Sequence, residues 1–163
     1  MTSFKWIALA LLALPGLLLL AGRAGALSGR APTDLGVRDG RLKAPSGTPN
    51  SVSSQADLWP GHPQQAYARI APLALQGADA EATLARLRDA ALALPGAELV
   101  LQRPGYLQLT FTTRWLRFVD DTEFWFDPQA QVIQVRSASR LGRKDFGVNR
   151  GRVEALRARL AAG

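Results

Sequence analysis

The chain has 163 residues, no cysteine and a formal net charge of +7. This length accommodates one domain and a leader, and an apolar fraction of 47% is sufficient for a hydrophobic core. The absence of cysteine excludes stabilisation by disulfides, so stability has to come from packing. Most cations are arginines, which genome base composition alone can produce, and no RNA-recognition or helix-turn-helix signature is present. The charge therefore predicts no nucleic-acid binding.

The first 26 residues have the features of a targeting segment. Lys5 precedes an apolar run over residues 6–21, and residues 24–26 (AGA) match a small-x-small cleavage site. The run is also close to the shortest membrane span, since about 17 helical residues reach roughly 26 Å. A cleaved signal peptide and a retained single anchor both stay open. We expect an exported protein, periplasmic or anchored to the inner membrane.

Residues 27–54 are rich in Gly, Pro, Ser and Arg, which predicts an irregular tether before a single domain over residues 55–163. Within the domain, residues 68–75 are expected to form a short edge strand, because Pro72 cannot occupy a central ladder position. Residues 79–94 have apolar side chains at helical spacing and predict the first helix of the domain.

Two pairs of strand-like runs follow, each around a turn signal. Residues 97–103 and 106–113 flank Pro104-Gly105, and residues 118–127 and 132–139 flank a loop of about four residues. Such short connections make the paired strands antiparallel.

A final helix is predicted where Val153, Leu156 and Leu160 recur at helical spacing, with Asn149 as its candidate cap. The predicted fold class is thus α+β. An antiparallel sheet of four to five strands packs against two helices, after an irregular N-terminal segment and an apolar leader.

Four blocks of the chain stand out: PNSVSSQ at 49–55, VDDTEF at 119–124, VRSASR at 135–140 and DFGVNR at 145–150. In this order they resemble the DUF1499 domain family of bacterial and plant proteins, over roughly residues 35–160. The resemblance implies no established activity. Similar proteins often carry one cysteine at the position of Ser51 and another near Pro45 and Ser46, so this chain departs from them there.

Three carboxylates open the second hairpin. Alternation along a strand places Asp121 and Glu123 on one face and Asp120 on the other. Clustered carboxylates suit hard divalent metals, but only two of these converge. Ion pairing with nearby arginines is the simpler interpretation, and no metal site is predicted.

Cations and polar groups follow in the second strand and the loop after it. Gly142 and Gly147 would let the backbone approach a phosphate or carboxylate, and arginine binds such groups in a two-point fork. Alternatively, the arginines hold the loop against the carboxylates. With the three carboxylates, the candidate ligand-binding residues are Arg136, Ser137, Ser139, Arg140, Arg143, Asn149 and Arg150.

A zinc site and a serine hydrolase both have weak support in the sequence. His62 is the only histidine, so zinc would need carboxylates for its remaining ligands. No G-x-S-x-G nucleophile elbow accompanies Ser53 or Ser54. No catalytic residue and no cofactor is therefore predicted.

Two hypotheses for function remain. In the first, the protein is a non-enzymatic envelope domain that binds an anionic small molecule, a lipid headgroup or an envelope protein through an Arg-rich surface, with membrane contact through the leader if it is retained. In the second, it is a hydrolytic enzyme that uses Asp120, Asp121 or Glu123 with Arg136 or Arg140. An enzyme requires these side chains to converge in a concave, partly dry site.

Overall fold

The computed structural model describes residues 2–162. Within them, six strands form one sheet: β1 (Ser51–Ser53), β2 (Leu73–Ala74), β3 (Ala97–Arg103), β4 (Tyr106–Thr112), β5 (Val119–Asp127) and β6 (Val132–Ser139). The order is β1-β6-β5-β4-β3, and β2 pairs with β6 beside β1. All of these pairs are antiparallel. The predicted α+β class is confirmed.

The described helices are α1 (Thr2–Arg23), α2 (Gln65–Ala68), α3 (Ala80–Leu92) and α4 (Val148–Ala162), with a short 3₁₀ helix at Ala56–Leu58. The strand count exceeds the prediction by one because β1 was not expected, whereas β2 lies within the edge strand predicted over residues 68–75; both strands pair with the free edge of β6. No helix among the described residues is long and apolar enough to cross a membrane.

The core lies between the sheet and helices α3 and α4. Strands β4, β5 and β6 contribute Leu107, Leu109, Phe124 and Val135, and each helix adds a stripe of aliphatic side chains that includes Leu87 or Leu156. Each large side chain that is removed from water in this way contributes roughly 1.5–3 kcal/mol. The burial of this face directs the alternate residues of the same strands to the opposite face.

Helix α3 begins and ends as predicted, to within two residues. The Asp79 carboxylate accepts hydrogen bonds from the amides of Glu81 and Ala82. After the helix, Gly96 has φ of +73°, and a Cβ at this position would lie 2.0 Å from the carbonyl oxygen of Thr112. Only glycine permits the chain to turn into β3 this closely to β4.

The predicted cap of α4 differs in the structure. Asp145, not Asn149, accepts hydrogen bonds from the first amides, those of Gly147 at 3.0 Å and Asn149 at 3.1 Å. Asn149 lies inside the helix and is fully buried. A carboxylate at this position also suits the positive end of the helix dipole.

The segment predicted as an irregular tether, residues 27–54, contributes to the sheet at its C-terminal end. Ser51, Val52 and Ser53 are all buried in β1, which pairs with residues 136–138 of β6. Because β1 is buried on both faces, it lacks the polar–apolar alternation that identifies a half-buried strand. Earlier in the segment, Leu42 is also buried. The segment covers part of the sheet face that lies opposite the helices.

Candidate functional site

Three of the four carboxylates of β5, those of Asp120, Asp121 and Glu123, each meet a different arginine. Asp121 receives two hydrogen bonds from the Arg140 guanidinium, at 2.7 and 2.8 Å. Glu123 lies opposite Arg136 in the β5–β6 register, with 3.8 Å between Oε2 and a guanidinium nitrogen. These two pairs share the face under the N-terminal segment, whereas Asp120 points to the helix side.

Asp120 pairs with a residue that sequence reasoning missed. The guanidinium of Arg152 in α4 donates to its carboxylate at 2.6 Å, and the same guanidinium lies 4.3 Å from the centroid of the Phe111 ring. A cation over an aromatic face is favourable. Helical spacing could have identified Arg152 as a candidate residue, because it follows Asn149 by about one turn and so lies on the same face of α4.

Asn149 joins α4 to the sheet and to the N-terminal segment. Its Oδ1 accepts from the Ser137 hydroxyl at 2.5 Å, and its Nδ2 donates to the Ser139 hydroxyl at 3.1 Å and to the carbonyl of Asn50 at 3.3 Å. Ser137 also shares a 2.7 Å hydrogen bond with Thr122. Ser137 and Asn149 are fully buried, so these candidate residues form an internal polar network.

Asp145 is the second centre of this network. Its carboxylate accepts from the Tyr67 hydroxyl at 2.6 Å as well as from the amides at the start of α4. Burial alone would raise its pKa, but the hydrogen bonds from Tyr67, Gly147 and Asn149 outweigh this effect and hold the pKa of Asp145 below its usual value.

Glu123 is the most completely buried of the acids, with an exposed fraction of 0%. Its Oε1 accepts from the Gly36 amide at 2.7 Å and from the Tyr106 hydroxyl at 2.8 Å. Its Oε2 has no hydrogen-bond partner among the described residues. Burial raises the pKa of Glu123, although the Gly36 amide and the Arg136 charge oppose this effect. Burial, the charge of Glu123 and its hydrogen bond likewise raise the pKa of Tyr106.

Arg136 is the central cation of the covered face, and 4% of the residue is exposed. Its Nε donates to the carbonyl of Ala44 at 3.2 Å, which fastens the N-terminal segment to β6. Within the described part of the chain, this is its one hydrogen bond. Burial lowers the pKa of Arg136, yet an arginine still keeps its charge.

A cavity of about 330 Å³ lies beside Arg136, between the N-terminal segment and the sheet. Its charged lining residues are Arg30, Lys43, Asp121, Arg136 and Arg140. Pro32 and residues 44–47 also line the cavity on the segment side. The cavity is therefore strongly cationic.

The remaining candidate residues lie elsewhere. Arg143 and Lys144 are exposed in the loop after β6, and Arg150 donates to the carbonyl of Tyr67 at 2.6 Å. Lys144 and Arg150 line a different depression, next to Phe146. The predicted anion cradle thus separates into a covered part with Arg136 and Arg140 and an exposed part on the loop.

Metal-binding groups do not converge in the described residues: no three His, Cys, Asp or Glu side chains there could hold an ion. The Nδ1 of His62 accepts from the Gln64 amide at 3.1 Å.

Ser46 and Ser51 are neighbours, in the part of the segment where the family resemblance implies a pair of cysteines. The Ser51 hydroxyl accepts from the Ser46 amide at 2.8 Å. A hydrogen bond here joins two parts of the N-terminal segment, with Ser51 fully buried.

Together, the sheet, the helices on one of its faces and the N-terminal segment on the other define a small α+β domain with a covered ionic site. The chain belongs to the family described as "Protein of unknown function (DUF1499)", which matches residues 41–160. Neither a search of curated proteins nor a search of solved structures found a match.

Proposed function

We propose that the protein is a non-enzymatic domain of the cell envelope that binds a phosphate or carboxylate group in the cavity beside Arg136. The observation that carries this proposal is the charge of the lining: four cations and one carboxylate face one volume of about 330 Å³. A ligand of small-molecule size fits such a volume.

The cations differ in how far they are already neutralised. Arg140 is engaged by Asp121, the one lining carboxylate, at 2.7 Å, and Lys43 by Asp34 at 2.6 Å. Arg136 has only the longer 3.8 Å contact with Glu123. A buried charge that is incompletely paired is costly, so an anion in the cavity would be stabilised by Arg136.

Binding is better supported than hydrolysis. Asp120 and Asp121 each accept short hydrogen bonds from an arginine, so their carboxylates are already engaged within the domain. Glu123 has the raised pKa that an acid catalyst needs, but no part of it is exposed. A general acid has to come within hydrogen-bond reach of its substrate.

The proposed location is the cell envelope. The apolar run and the AGA site at residues 24–26 support export through the leader, with the domain either released into the periplasm or tethered to the inner membrane. Arg30 and Lys43 lie in the segment that follows the leader and supply half of the cavity's cations.

The test is a calorimetric titration of the full chain with inorganic phosphate and with glycerol phosphate. Arg30→Gln and Lys43→Gln remove lining charge without breaking the buried Glu123–Arg136 pair. We expect saturable binding that each substitution weakens about tenfold, the loss of one charge-assisted hydrogen bond. The matched control is Arg69→Gln, whose exposed pair with Asp57 lies outside the cavity lining.

Absence of saturable binding to either probe, or equal affinities in the lining variants and the control, would overturn the proposal. Mass spectrometry of protein recovered from its native envelope supplies a second arm. It reports the mature N-terminus and whether a co-purifying ligand is a free phosphate compound or a lipid.

A further inference from the structure

A second surface lies at one end of the sheet, where β4 ends, β5 begins and β6 ends. The loop over residues 113–118 and the loop over residues 140–147 meet there, since Phe118 and Phe146 line the same depression of about 270 Å³. The C-terminal end of α1 reaches the same place. A Cβ at Gly22 would lie 2.6 Å from the carbonyl oxygen of Leu116, so the helix packs directly on the first loop. We call this surface the loop end.

Large apolar side chains of the loop end face solvent. Phe146 is 92% exposed and Trp115 is 60% exposed. Leu141 and Val148, on either side of Phe146 in the chain, are also exposed. The exposed apolar groups therefore come from both loops and form more than a single exposed side chain.

Phe146 is held in place rather than left loose. Its φ of +51° is an unfavourable backbone conformation for a residue with a side chain. The residues on either side maintain it, because the Asp145 carboxylate accepts from the Gly147 amide at 3.0 Å and from the Tyr67 hydroxyl at 2.6 Å. The ring is thus presented to solvent from a fixed base.

The loop end is also strongly basic. Residues 113–118 contain no acid, and residues 140–150 contain one, Asp145, whose carboxylate is buried and hydrogen-bonded. The cations in these two loops and at the start of α4 are Arg114, Arg117, Arg140, Arg143, Lys144 and Arg150. Of these, Arg140 is the one that pairs with an acid in the described residues.

We infer that the loop end docks on the surface of an anionic lipid bilayer, with Phe146 entering the headgroup region and Lys144 and Arg143 contacting lipid phosphates. Apolar side chains among basic residues are the combination that binds such surfaces. Tryptophan beside arginine, as at Trp115, is also favoured at the boundary between lipid and water.

A bilayer fits this surface better than a folded partner does. Helix α1, which packs against the loop end, carries further exposed leucines, among them Leu12, Leu17 and Leu20. A bilayer, with its apolar interior and anionic headgroups, would contact both the helix and the loops. The two loops alone provide the basic and aromatic contacts, so the inference is independent of the cavity beside Arg136.

The cysteine-free chain allows a direct test. Phe146→Cys in the full chain is labelled with an apolar, environment-sensitive fluorophore and mixed with vesicles of phosphatidylglycerol and phosphatidylcholine, or of phosphatidylcholine alone. We expect a blue shift and quenching by lipids spin-labelled near the headgroup only when phosphatidylglycerol is present. The matched control is Val100→Cys, which is 52% exposed on β3, at the far edge of the sheet.

The charge requirement is tested in the labelled protein with Lys144→Gln. Removing one cation near an anionic membrane lowers partitioning about fivefold, so the quenched fraction at limiting lipid should fall accordingly. Arg86→Gln, on α3, serves as the charge control. A label at position 146 that stays in water while α1 anchors the chain to vesicles would overturn the inference. So would a blue shift that depends on protein concentration without lipid, because it would identify a second copy as the occupant.

Discussion

Glu123 on β5 and Arg136 on β6 lie directly opposite each other in the sheet, and their charged groups are 3.8 Å apart beneath the N-terminal segment. The pair is more than a cross-strand contact, because each member also holds the segment: Glu123 accepts from the Gly36 amide and Arg136 donates to the Ala44 carbonyl. The cavity of the proposed binding site therefore depends on the same two residues that attach its cover.

Truncation of one member of this pair should destabilise the domain strongly. Arg136→Met leaves the Glu123 carboxylate buried and without its cation, which typically costs about 3–5 kcal/mol. The double variant Glu123→Gln/Arg136→Met should recover part of the loss. Urea denaturation measures both. Arg69→Met, in a pair whose side chains are 58% and 61% exposed, serves as the control and should cost far less than Arg136→Met, because solvent screens an exposed ion pair. If Arg136→Met and Arg69→Met lowered the free energy of unfolding equally, burial of the Glu123–Arg136 pair would have no effect on stability.

The dependence of stability on pH should have opposite signs at Glu123 and Asp145. Burial raises the pKa of Glu123 above its ordinary 4.5, so its contribution to stability is complete at pH below 4.5 and is lost as the pH rises through the folded-state value. Glu123→Gln should thus gain stability relative to the native chain as the pH increases from about 4.5 to 7. Unfolding midpoints over this range provide the measurement, with the exposed Glu154→Gln as the control. A constant difference across the range would contradict the raised pKa.

Asp145 provides the reverse case. Its hydrogen bonds hold the pKa below the ordinary 3.8, so its contribution is present above that value and disappears as the pH falls further. Asp145→Asn should be clearly destabilising at pH 7, and the loss should shrink progressively as the pH falls below 3.8. The same unfolding experiments, extended to acid, test this expectation. A loss that is independent of pH would mean that the shape of the side chain matters and its charge does not.

Replacing Asn149 should unfasten α4 from the sheet. Asn149→Leu has nearly the same size but removes the hydrogen bonds of the Asn149 side chain with the Ser137 hydroxyl and the Asn50 carbonyl, and each lost hydrogen bond typically costs about 0.5–1.5 kcal/mol. Hydrogen exchange should accelerate in α4 and at the β1–β6 pairing more than in the β3–β4 hairpin. An exposed position in the same helix, Arg159→Leu, supplies the control. Uniform acceleration throughout the domain would instead indicate a general loss of packing.

A cysteine pair at Ser46 and Ser51 should form a disulfide in this chain. The Ser51 hydroxyl already lies 2.8 Å from the Ser46 amide, and a loop this short would stabilise the oxidised form by about 2 kcal/mol. Mass measurement before and after alkylation detects the bond, and unfolding with and without reductant gives its effect. Ser46→Cys alone is the control. Free thiols in the oxidised double variant would show that the two side chains diverge.

Local signals predicted much of the domain. The Pro104-Gly105 turn, the capping carboxylate of Asp79 and the alternation along β5 are properties of neighbouring residues, and they determined both hairpins, helix α3 and the separation of Asp120 from Asp121 and Glu123. Strand β1 escaped prediction because Ser51, Val52 and Ser53 are buried alike. The polarity of these three residues therefore does not indicate which face of the strand is buried.

At the candidate site, too, local features could be predicted from the sequence and long-range contacts could not. The residue order alone predicts that carboxylates and arginines face each other across the second hairpin, since a short loop brings consecutive strands together. The individual partners depend on the folded chain: Arg152 reaches Asp120 from a helix 32 residues away in the sequence, and Gly36 reaches Glu123 across 87 residues. Such contacts depend on how distant segments pack over the two faces of the sheet, and the spacing of residues along the chain does not encode that packing.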